Sequence, residues 1–262
     1  MFEEISLNSK YYYHDIISCF MLLVWVYIAY KGYKSKNDKL TYKISSLIII
    51  ICLIQESIDY INRIFLDSNY LFSVQRDLPF LHFCQVSFYF SILCIFLTKE
   101  KSTDDKKYSL NQFLFDSAFL LGLSGALQSI ITPDFENINN IIGVMCFQLQ
   151  HSLIILNVIW LMSAYSYRLK FKGVCLTYLL INLIAPIALL INNFLGQNSV
   201  GVSANYFYVN ELPKVDNYFL NFVSQHPSPD FILYIQPIFI VYFTSLYIPF
   251  FILNKFKNKI SK

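Results

Sequence analysis

The segment LPFLHFCQVSFYFSILCIFL, residues 78–97, decides the fold class because none of its 20 residues is charged. A helix of about 20 apolar residues is long enough to cross the hydrocarbon core of a bilayer, which is ~30 Å thick. The segment nevertheless carries His82, Cys84 and Gln85 near its start. Polar side chains are costly inside a membrane, so each of these residues needs a partner or a function.

Similar apolar runs recur along the whole chain of 262 residues. Hydrophobic residues make up 56% of the sequence and charged residues only 14%, whereas soluble domains carry about 25% charged residues. We predict seven transmembrane helices, at about 12–30, 44–66, 79–98, 111–131, 140–165, 173–194 and 230–254. The sequence therefore predicts an all-α polytopic membrane protein in which residues 1–262 form a single integral membrane domain.

The basic residues predict how the chain is oriented in the membrane. Sixteen of the twenty lysine and arginine residues fall in the first, third and fifth loops or in the C-terminal tail. Because positively charged loops stay in the cytoplasm, we expect the N-terminus outside and the C-terminus inside. This orientation places one long loop, 195–229, outside the membrane between helices 6 and 7. The net charge of +3 then reflects topology, and we expect no nucleic-acid partner.

The sequence lacks the common motifs for metals, nucleotides and disulfides. It contains no CxxC, no HExxH and no glycine-rich phosphate loop. All six cysteines fall within predicted spans, whereas a disulfide framework would use cysteines in external loops. We therefore expect no cofactor and no bound metal.

The polar residues of five spans are predicted to share one depth, in the outer half of the membrane, when each residue is given a rise of ~1.5 Å. They are Glu56 and Asp59 in span 2, His82, Cys84 and Gln85 in span 3, Ser124 and Gln128 in span 4, Gln148 and His151 in span 5, and Asn192 and Asn193 in span 6. This clustering predicts a polar cavity that opens outward. The alternative is a set of unrelated hydrogen bonds between helices.

The long external loop is expected to cap this cavity, because structureless loops of that length in a compact domain are usually functional. It is aromatic and contains a single lysine. It contributes Asn205 and His226 as further polar candidates at the outer face.

Each candidate also has a purely structural interpretation. Either intramembrane histidine could be a neutral imidazole that holds a neighbouring helix. Glu56 and Asp59 could pair with Arg63 or Arg76 at the interface. Cys84 could be a small packing residue, as buried cysteines often are.

Helical geometry separates the polar residues at the start of span 3. His82 and Gln85 are three positions apart and share a helix face, while Cys84 is expected about 160° from His82 around the helix axis. His82 is therefore poorly placed to act as a base for Cys84. If Cys84 reacts, His151 of span 5 is the expected source of that base.

Five stretches carry a family resemblance: LPFLHFCQ (78–85), LGLSGALQSIITPDF (121–135), FQLQHSLIIL (147–156), NYFYVNELP (205–213) and QH (225–226). They occur in the order and spacing of the transmembrane protein 164 family and its bacterial YwaF-like members, which the chain resembles from span 2 to the end of span 7. The resemblance implies an integral membrane acyltransferase that moves acyl chains between phospholipids. Such an acyltransferase is in turn similar to a family of hydrolases that cleave acyl esters. The resemblance also implies a multi-pass protein of the bacterial cell membrane.

The family mechanism implies a cysteine nucleophile in the span matching 79–98 and a histidine in the span matching 140–165. The histidine corresponds to His151. The position of the family cysteine is held here by Leu81, and His82 matches the histidine that follows it. Cys84 lies two residues further on, where bacterial members also tend to have cysteine.

If this chemistry is kept, acyl transfer requires a nucleophile, a base that takes its proton, and donors for the oxyanion. The implied roles are His151 as base, Cys84 as nucleophile, His82, Gln85 or Gln148 as oxyanion donors, and Glu56 or Asp59 as the group that orients an imidazole. Gln128, Asn205 and His226 complete the predicted phospholipid-binding set.

Two other functions remain open on the sequence alone. The first is a proton-coupled transporter or small-molecule binding protein with an outward polar cavity, because such carriers use intramembrane acids and histidines. The chain shows no evident inverted repeat, which many transporters have. The second is a metal or haem site formed by His82, His151 and His226.

Overall fold

The computed structural model describes residues 5–35, 38–99, 108–135, 137–212 and 218–260. Within these ranges it contains α-helices and no strand beyond one isolated bridge between Gln197 and Ser203. The helices are α1 Leu7–Lys34, α2 Asp38–Ile61, α3 Phe83–Leu97, α4 Leu110–Ile131, α5 Ile141–Ala164, α6 Phe171–Leu195, α7 Tyr218–Val223 and α8 Phe231–Ile260. A π-helical turn, Asn62–Leu66, continues α2, and a short 3₁₀ turn, Tyr206–Tyr208, precedes α7. The predicted all-α fold is confirmed.

Six of the helices are long and apolar enough to cross a membrane: α1, α2 with its π-helical turn, α4, α5, α6 and α8. The helix α3 is apolar but has only 15 residues, which corresponds to ~22 Å at 1.5 Å per residue. Several long apolar helices are the pattern of a multi-pass membrane protein. The count of seven spans stays a prediction.

The third predicted span differs from the helix that forms. It was expected at 79–98, but α3 begins at Phe83. The carbonyl of Leu81 accepts the amide of Phe207 at 3.0 Å, and His82 is the N-cap with an extended backbone (φ −136, ψ 147). Residues before Phe83 are thus bonded to the segment after α6 instead of continuing the helix.

The helices α2 and α5 run in opposite directions, as hydrogen bonds at both of their ends show. At one end the Nδ2 of Asn140, the N-cap of α5, donates to Asn62 after α2 at 3.0 Å, and at the other Trp160 donates to Ser45 at 2.9 Å. These two helices therefore run antiparallel. The end at which α2 and α4 finish and α3 and α5 begin is called the site end below.

The helix α5 is the centre of the bundle and packs against α1, α2, α3 and α4. Glycines on two neighbours allow close approach, as is common between membrane helices. A Cβ on Gly122 of α4 would come within 2.6 Å of the Ile154 side chain. A Cβ on Gly32 of α1 would come within 2.1 Å of the Ser163 hydroxyl.

A buried carboxylate, Asp116 of α4, ties the end opposite the site end together. Its Oδ1 accepts hydrogen bonds from Gln112 Nε2 at 2.8 Å and from the amide of Lys170 at 3.3 Å. Its Oδ2 accepts from the Tyr108 hydroxyl at 3.0 Å. The carboxylate therefore links α4 to Lys170, the N-cap of α6.

Replacing Asp116 with alanine should destabilise the protein, because it leaves three donors without their acceptor. Each buried donor left unpaired costs about 1–3 kcal/mol. We expect a clear fall in the thermal midpoint of the detergent-solubilised protein. Asp116→Asn keeps one carbonyl oxygen and should lose less, and equal midpoints for wild type and Asp116→Ala would contradict the structural role.

Candidate functional site

A cavity of about 380 Å³ lies at the site end, among residues of α2, α3, α4 and α5. Its lining includes seven of the polar residues that the sequence selected: Asp59, His82, Cys84, Gln85, Ser124, Gln128 and His151. Glu56, Gln148, Asn192, Asn193, Asn205 and His226 are not part of that lining. Four of the five predicted helices thus bring polar groups to one place, and α6 does not.

His151 lies in α5 and is held in one orientation by its own helix. Its Nδ1 is 2.7 Å from the carbonyl of Phe147, and since a carbonyl only accepts, Nδ1 carries the proton. Among the described residues, Nε2 has no hydrogen-bond partner, and the residue lines the cavity. The free nitrogen of the neutral ring is therefore available as a proton acceptor.

Cys84 lies in the first turn of α3 and lines the same cavity. The glycine at position 125 of α4 makes room for it, because a Cβ there would be 2.6 Å from the Cys84 sulfur. The hydroxyl of Ser129 lies beside the thiol. Within the described ranges no hydrogen bond joins Cys84 to His151, although both line the same cavity.

The continuous helix on which the predicted separation of His82 from Cys84 rested does not form, because His82 is extended and α3 begins after it. The N-terminus of α3 therefore faces the cavity, and His82, Cys84 and Gln85 all line it. The Oε1 of Gln85 and the Nδ1 of His82 are buried and unpartnered among the described residues.

Two predicted residues point away from the cavity. Glu56 accepts hydrogen bonds from the Tyr89 hydroxyl at 2.5 Å and from Gln150 Nε2 at 2.7 Å, so it orients neither His82 nor His151. Gln148 faces α1, where its Nε2 donates to the Ser18 hydroxyl at 2.7 Å. Gln150, two residues further along α5, lines the cavity in its place.

Asp59 forms part of an ion cluster at the edge of the cavity. Its Oδ2 is 2.6 Å from Nη2 of Arg63, whose Nη1 is 3.4 Å from Oδ1 of Asp77. The Tyr70 hydroxyl also donates to Asp77, and burial raises the pKa of Tyr70 to about 12. The structural alternative for Asp59, pairing with Arg63, is confirmed.

The segment after α6 contributes Tyr208 to the cavity lining. Its ring lies 5.5 Å from that of His82. Tyr208 and Phe207 both have positive φ, 54° and 55°, a conformation that is strained for residues with side chains and often marks functional positions. Burial raises the pKa of Tyr208 to about 12, so its hydroxyl stays protonated and can donate.

The other two loop candidates lie elsewhere. Asn205 organises the loop itself, since its Oδ1 accepts the amides of Asn210 and Glu211 at 3.1 Å each. His226 stacks on Tyr234 with ring centroids 3.5 Å apart. The metal or haem hypothesis required His226 beside His82 and His151, and that arrangement does not form; the described residues contain no group of three or more metal-ligating side chains.

Sequence reasoning missed several members of this end of the protein. Gln150, Tyr208 and Arg76 line the cavity. His14 of α1 packs against Phe135, whose ring lies 5.8 Å from that of the cavity residue Phe147. Gln150 follows Gln148 by two positions, and only the rotation of α5 about its axis decides which of the two side chains faces the cavity. Tyr208 lies within NYFYVNELP, one of the stretches that carry the family resemblance, and this is the sequence feature from which it could have been selected.

The TMEM164 family model matches residues 9–253. The chain belongs to the TMEM164 family. This membership and the long apolar helices make it an integral, multi-pass membrane protein. No curated protein and no solved structure matches the chain.

The stretches that carried the family resemblance meet in the three-dimensional structure. Within this TMEM164 family chain, 78–85 contributes His82 and Cys84, 121–135 contributes Gln128, 147–156 contributes His151 and 205–213 contributes Tyr208 to one cavity. The fifth stretch, 225–226, lies at a separate pocket that includes His226. Four segments far apart in sequence thus surround the same space.

Proposed function

We propose that this protein is a membrane lipid acyltransferase or acyl-ester hydrolase that acts on phospholipids at the site end. Together with α3, the six long helices make seven spans, with the N-terminus outside and the C-terminus inside. The cavity then opens toward the outer surface of a bacterial cell membrane. That position suits a phospholipid ester, whose carbonyls lie near the membrane surface.

A single observation carries this proposal. His151 presents an unpartnered ring nitrogen, and Cys84 presents a thiol, to the same cavity. A nucleophile and a base are the two groups that covalent acyl transfer requires. The Sγ and Nε2 atoms must come within ~2.6–3.2 Å, or be bridged by one water, in the substrate complex for the proton to move.

In the first half-reaction, His151 Nε2 takes the proton of the Cys84 thiol. The thiolate attacks the carbonyl carbon of the acyl ester and forms a tetrahedral intermediate with a negatively charged oxygen. The intermediate collapses as the carbon–oxygen bond to the alcohol breaks. His151 returns the proton to the departing alkoxide, and the acyl chain remains on Cys84 as a thioester.

The N-terminus of α3 supplies donors for the negative oxygen. The first bond inside this end runs from the Val86 amide to the His82 carbonyl at 2.9 Å, so the amides of Cys84 and Gln85 have no acceptor in the helix. Backbone amides at a helix N-terminus stabilise anions. The Tyr208 hydroxyl is a further donor in the same lining.

In the second half-reaction, an acceptor hydroxyl attacks the thioester while His151 accepts its proton. The acceptor is a lysophospholipid in a transferase and water in a hydrolase. A new carbon–oxygen bond forms, which gives an ester with the lysophospholipid or a free fatty acid with water, the bond to sulfur breaks, and His151 returns a proton to the thiolate. Both outcomes use the same residues, so access of water to the cavity decides between them.

One observation favours the transporter alternative. The cluster of Asp59, Arg63 and Asp77 borders the cavity, and intramembrane ion pairs of this kind occur along proton pathways. A carrier would move a solute across proteoliposomes without changing any lipid. Lipid analysis of the same vesicles therefore separates the two functions.

We expect Cys84 to carry the acyl chain during turnover. Purified protein in vesicles of phosphatidylcholine with an isotope-labelled acyl chain should give a peptide containing Cys84 whose mass is raised by that chain. The thioester should disappear on treatment with hydroxylamine. Mass spectrometry of rapidly quenched samples makes the measurement.

The matched control is Cys175→Ser, which removes an exposed cysteine of α6 outside the cavity. It should leave both labelling and transfer unchanged, whereas Cys84→Ala should abolish labelling. Unlabelled Cys84 together with full acyl transfer would exclude the covalent mechanism. Full transfer by Cys84→Ala would do the same.

A further inference from the structure

A second cavity, of about 440 Å³, lies beside the first, between α6 and α8. We call it the side groove. Its lining is mainly apolar and includes Ile181, Ala185, Phe231, Ile235, Phe239 and Tyr242. The polar side chains that α8 contributes to the side groove are Gln236 and Tyr242. The side-chain amide of Gln236 donates to the Ile232 carbonyl of its own helix at 2.9 Å.

The side groove adjoins the polar cavity and shares part of its wall. Five residues belong to the lining of both: Phe83, Ser124, Gln128, Tyr208 and Leu220. The polar groups of the side groove are concentrated at this junction. A molecule with one polar and one apolar part can therefore place the polar part beside Cys84 and His151 and the apolar part between α6 and α8.

The length of the side groove matches a single lipid chain. Its residues on α8 run from Phe231 to Tyr242, which is ~16 Å at 1.5 Å per residue. One leaflet of a hydrocarbon core is half of ~30 Å. At the inner end the Tyr242 hydroxyl donates to the Leu123 carbonyl at 3.0 Å, which ties α8 to α4 there.

Prolines occur in both helices at the level of the side groove. Pro186 follows Ala185 in α6, and Pro237 lies between Gln236 and Ile238 in α8. A proline inside a helix removes one backbone hydrogen bond and its ring clashes with the preceding turn, which kinks helices. Because both helices are interrupted by a proline beside the side groove, they do not pack as closely there as two regular helices would.

We propose that the side groove holds one hydrocarbon chain of the phospholipid whose acyl ester lies in the polar cavity. This assignment rests on the proposed function for the identity of the lipid. Neighbouring side chains in the side groove then determine which chains fit. Ile235 and Ala185, on opposite sides, are the positions where added bulk would shorten or exclude the chain.

The experiment uses full-length protein in phosphatidylcholine vesicles that contain a phospholipid with ether-linked chains and a diazirine on one chain. The ether links prevent hydrolysis or transfer, so binding is measured apart from chemistry. After irradiation, we expect labelled peptides from the side-groove residues of α6 and α8. Ile235→Trp should reduce this labelling by about tenfold or more, equivalent to about 1.4 kcal/mol of binding.

Ile240→Trp is the matched control, because Ile240 is on the same helix, is 50% exposed and does not line the side groove. The side-groove peptides of this variant should be labelled to the same extent as those of the wild-type protein. If Ile235→Trp does not fold, Ala185→Phe tests the opposite side of the side groove. Labelling spread evenly over the lipid-exposed helix faces, or unchanged by these substitutions, would overturn the proposal.

Three further outcomes distinguish failure of this inference from failure of the proposed function. Labelling in the side groove by a wild-type protein that transfers no acyl chain would support the chain site and reject the enzyme. Labelling there by an isoprenoid diazirine probe, but not by the phospholipid, would overturn the assignment of the occupant. Normal acyl transfer by an Ile235→Trp protein that has lost its labelling would also overturn it.

Discussion

Replacing His151 with alanine is expected to abolish acyl transfer while the protein remains folded. His151 lines the cavity, its Nε2 has no hydrogen-bond partner within the described part of the chain, and the proposed mechanism uses it as base in both half-reactions. General acid–base catalysis contributes about 10²- to 10⁴-fold. The rate should therefore fall by that factor, measured by mass spectrometry as transfer of a labelled chain from phosphatidylcholine to a lysophospholipid in proteoliposomes.

The matched control is His226→Ala, since His226 stacks on Tyr234 away from the cavity. It should keep its activity. Size-exclusion profiles and thermal midpoints of both variants should resemble those of wild type. A near-normal rate for His151→Ala would show that His151 is not the catalytic base. If the wild-type protein left the lipid profile unchanged, the proposal that it is an enzyme would be rejected.

The second large effect is expected for Arg63→Ala and concerns stability. Arg63 lies 2.6 Å from Asp59 and 3.4 Å from Asp77, and the Asp77 side chain has no exposed area. Removing the guanidinium leaves the buried Asp59 carboxylate without its counter-charge, while among the described residues Asp77 keeps only the longer pair with Arg76, whose Nε lies 3.7 Å from its Oδ1. Breaking a buried ion pair in this way costs about 3–5 kcal/mol, which should appear as a strongly lowered thermal midpoint in detergent.

Two comparisons test whether the charge is the cause. Arg63→Lys keeps the positive charge but cannot bind both carboxylates with one planar group, so it should lose less stability than alanine. The double variant Asp59→Asn, Arg63→Gln removes one charge of each sign and should recover part of the loss. A double variant no more stable than Arg63→Ala would assign the effect to packing instead.

Local hydropathy was sufficient to predict the helical architecture, for a physical reason. In a bilayer every backbone polar group must be bonded internally, so a long apolar segment has no alternative to a helix. The six long apolar helices accordingly fall where the sequence placed them. Residues 78–82 are the exception, because the Leu81 carbonyl is bonded to Phe207, a contact of long range.

The candidate site was only partly predictable. The intramembrane polar residues could be selected because such residues are rare and costly, and His82, Cys84, Gln85, Gln128 and His151 do share one cavity. The hydrogen-bond partners of the selected residues could not be predicted from their spacing in the sequence. Glu56 bonds to Tyr89 and Gln150, and Gln148 bonds to Ser18 on α1.

Hydropathy was enough to predict apolar membrane helices and to select the polar residues within them, because both depend on side chains considered one segment at a time. Packing in three dimensions determines that Cys84 and His82 face the same space, that Tyr208 reaches it, and that an apolar groove adjoins it. The reason is geometric. The rotation of each helix, the residue at which α3 begins and the path of the segment after α6 are set by packing between segments that are far apart in the sequence.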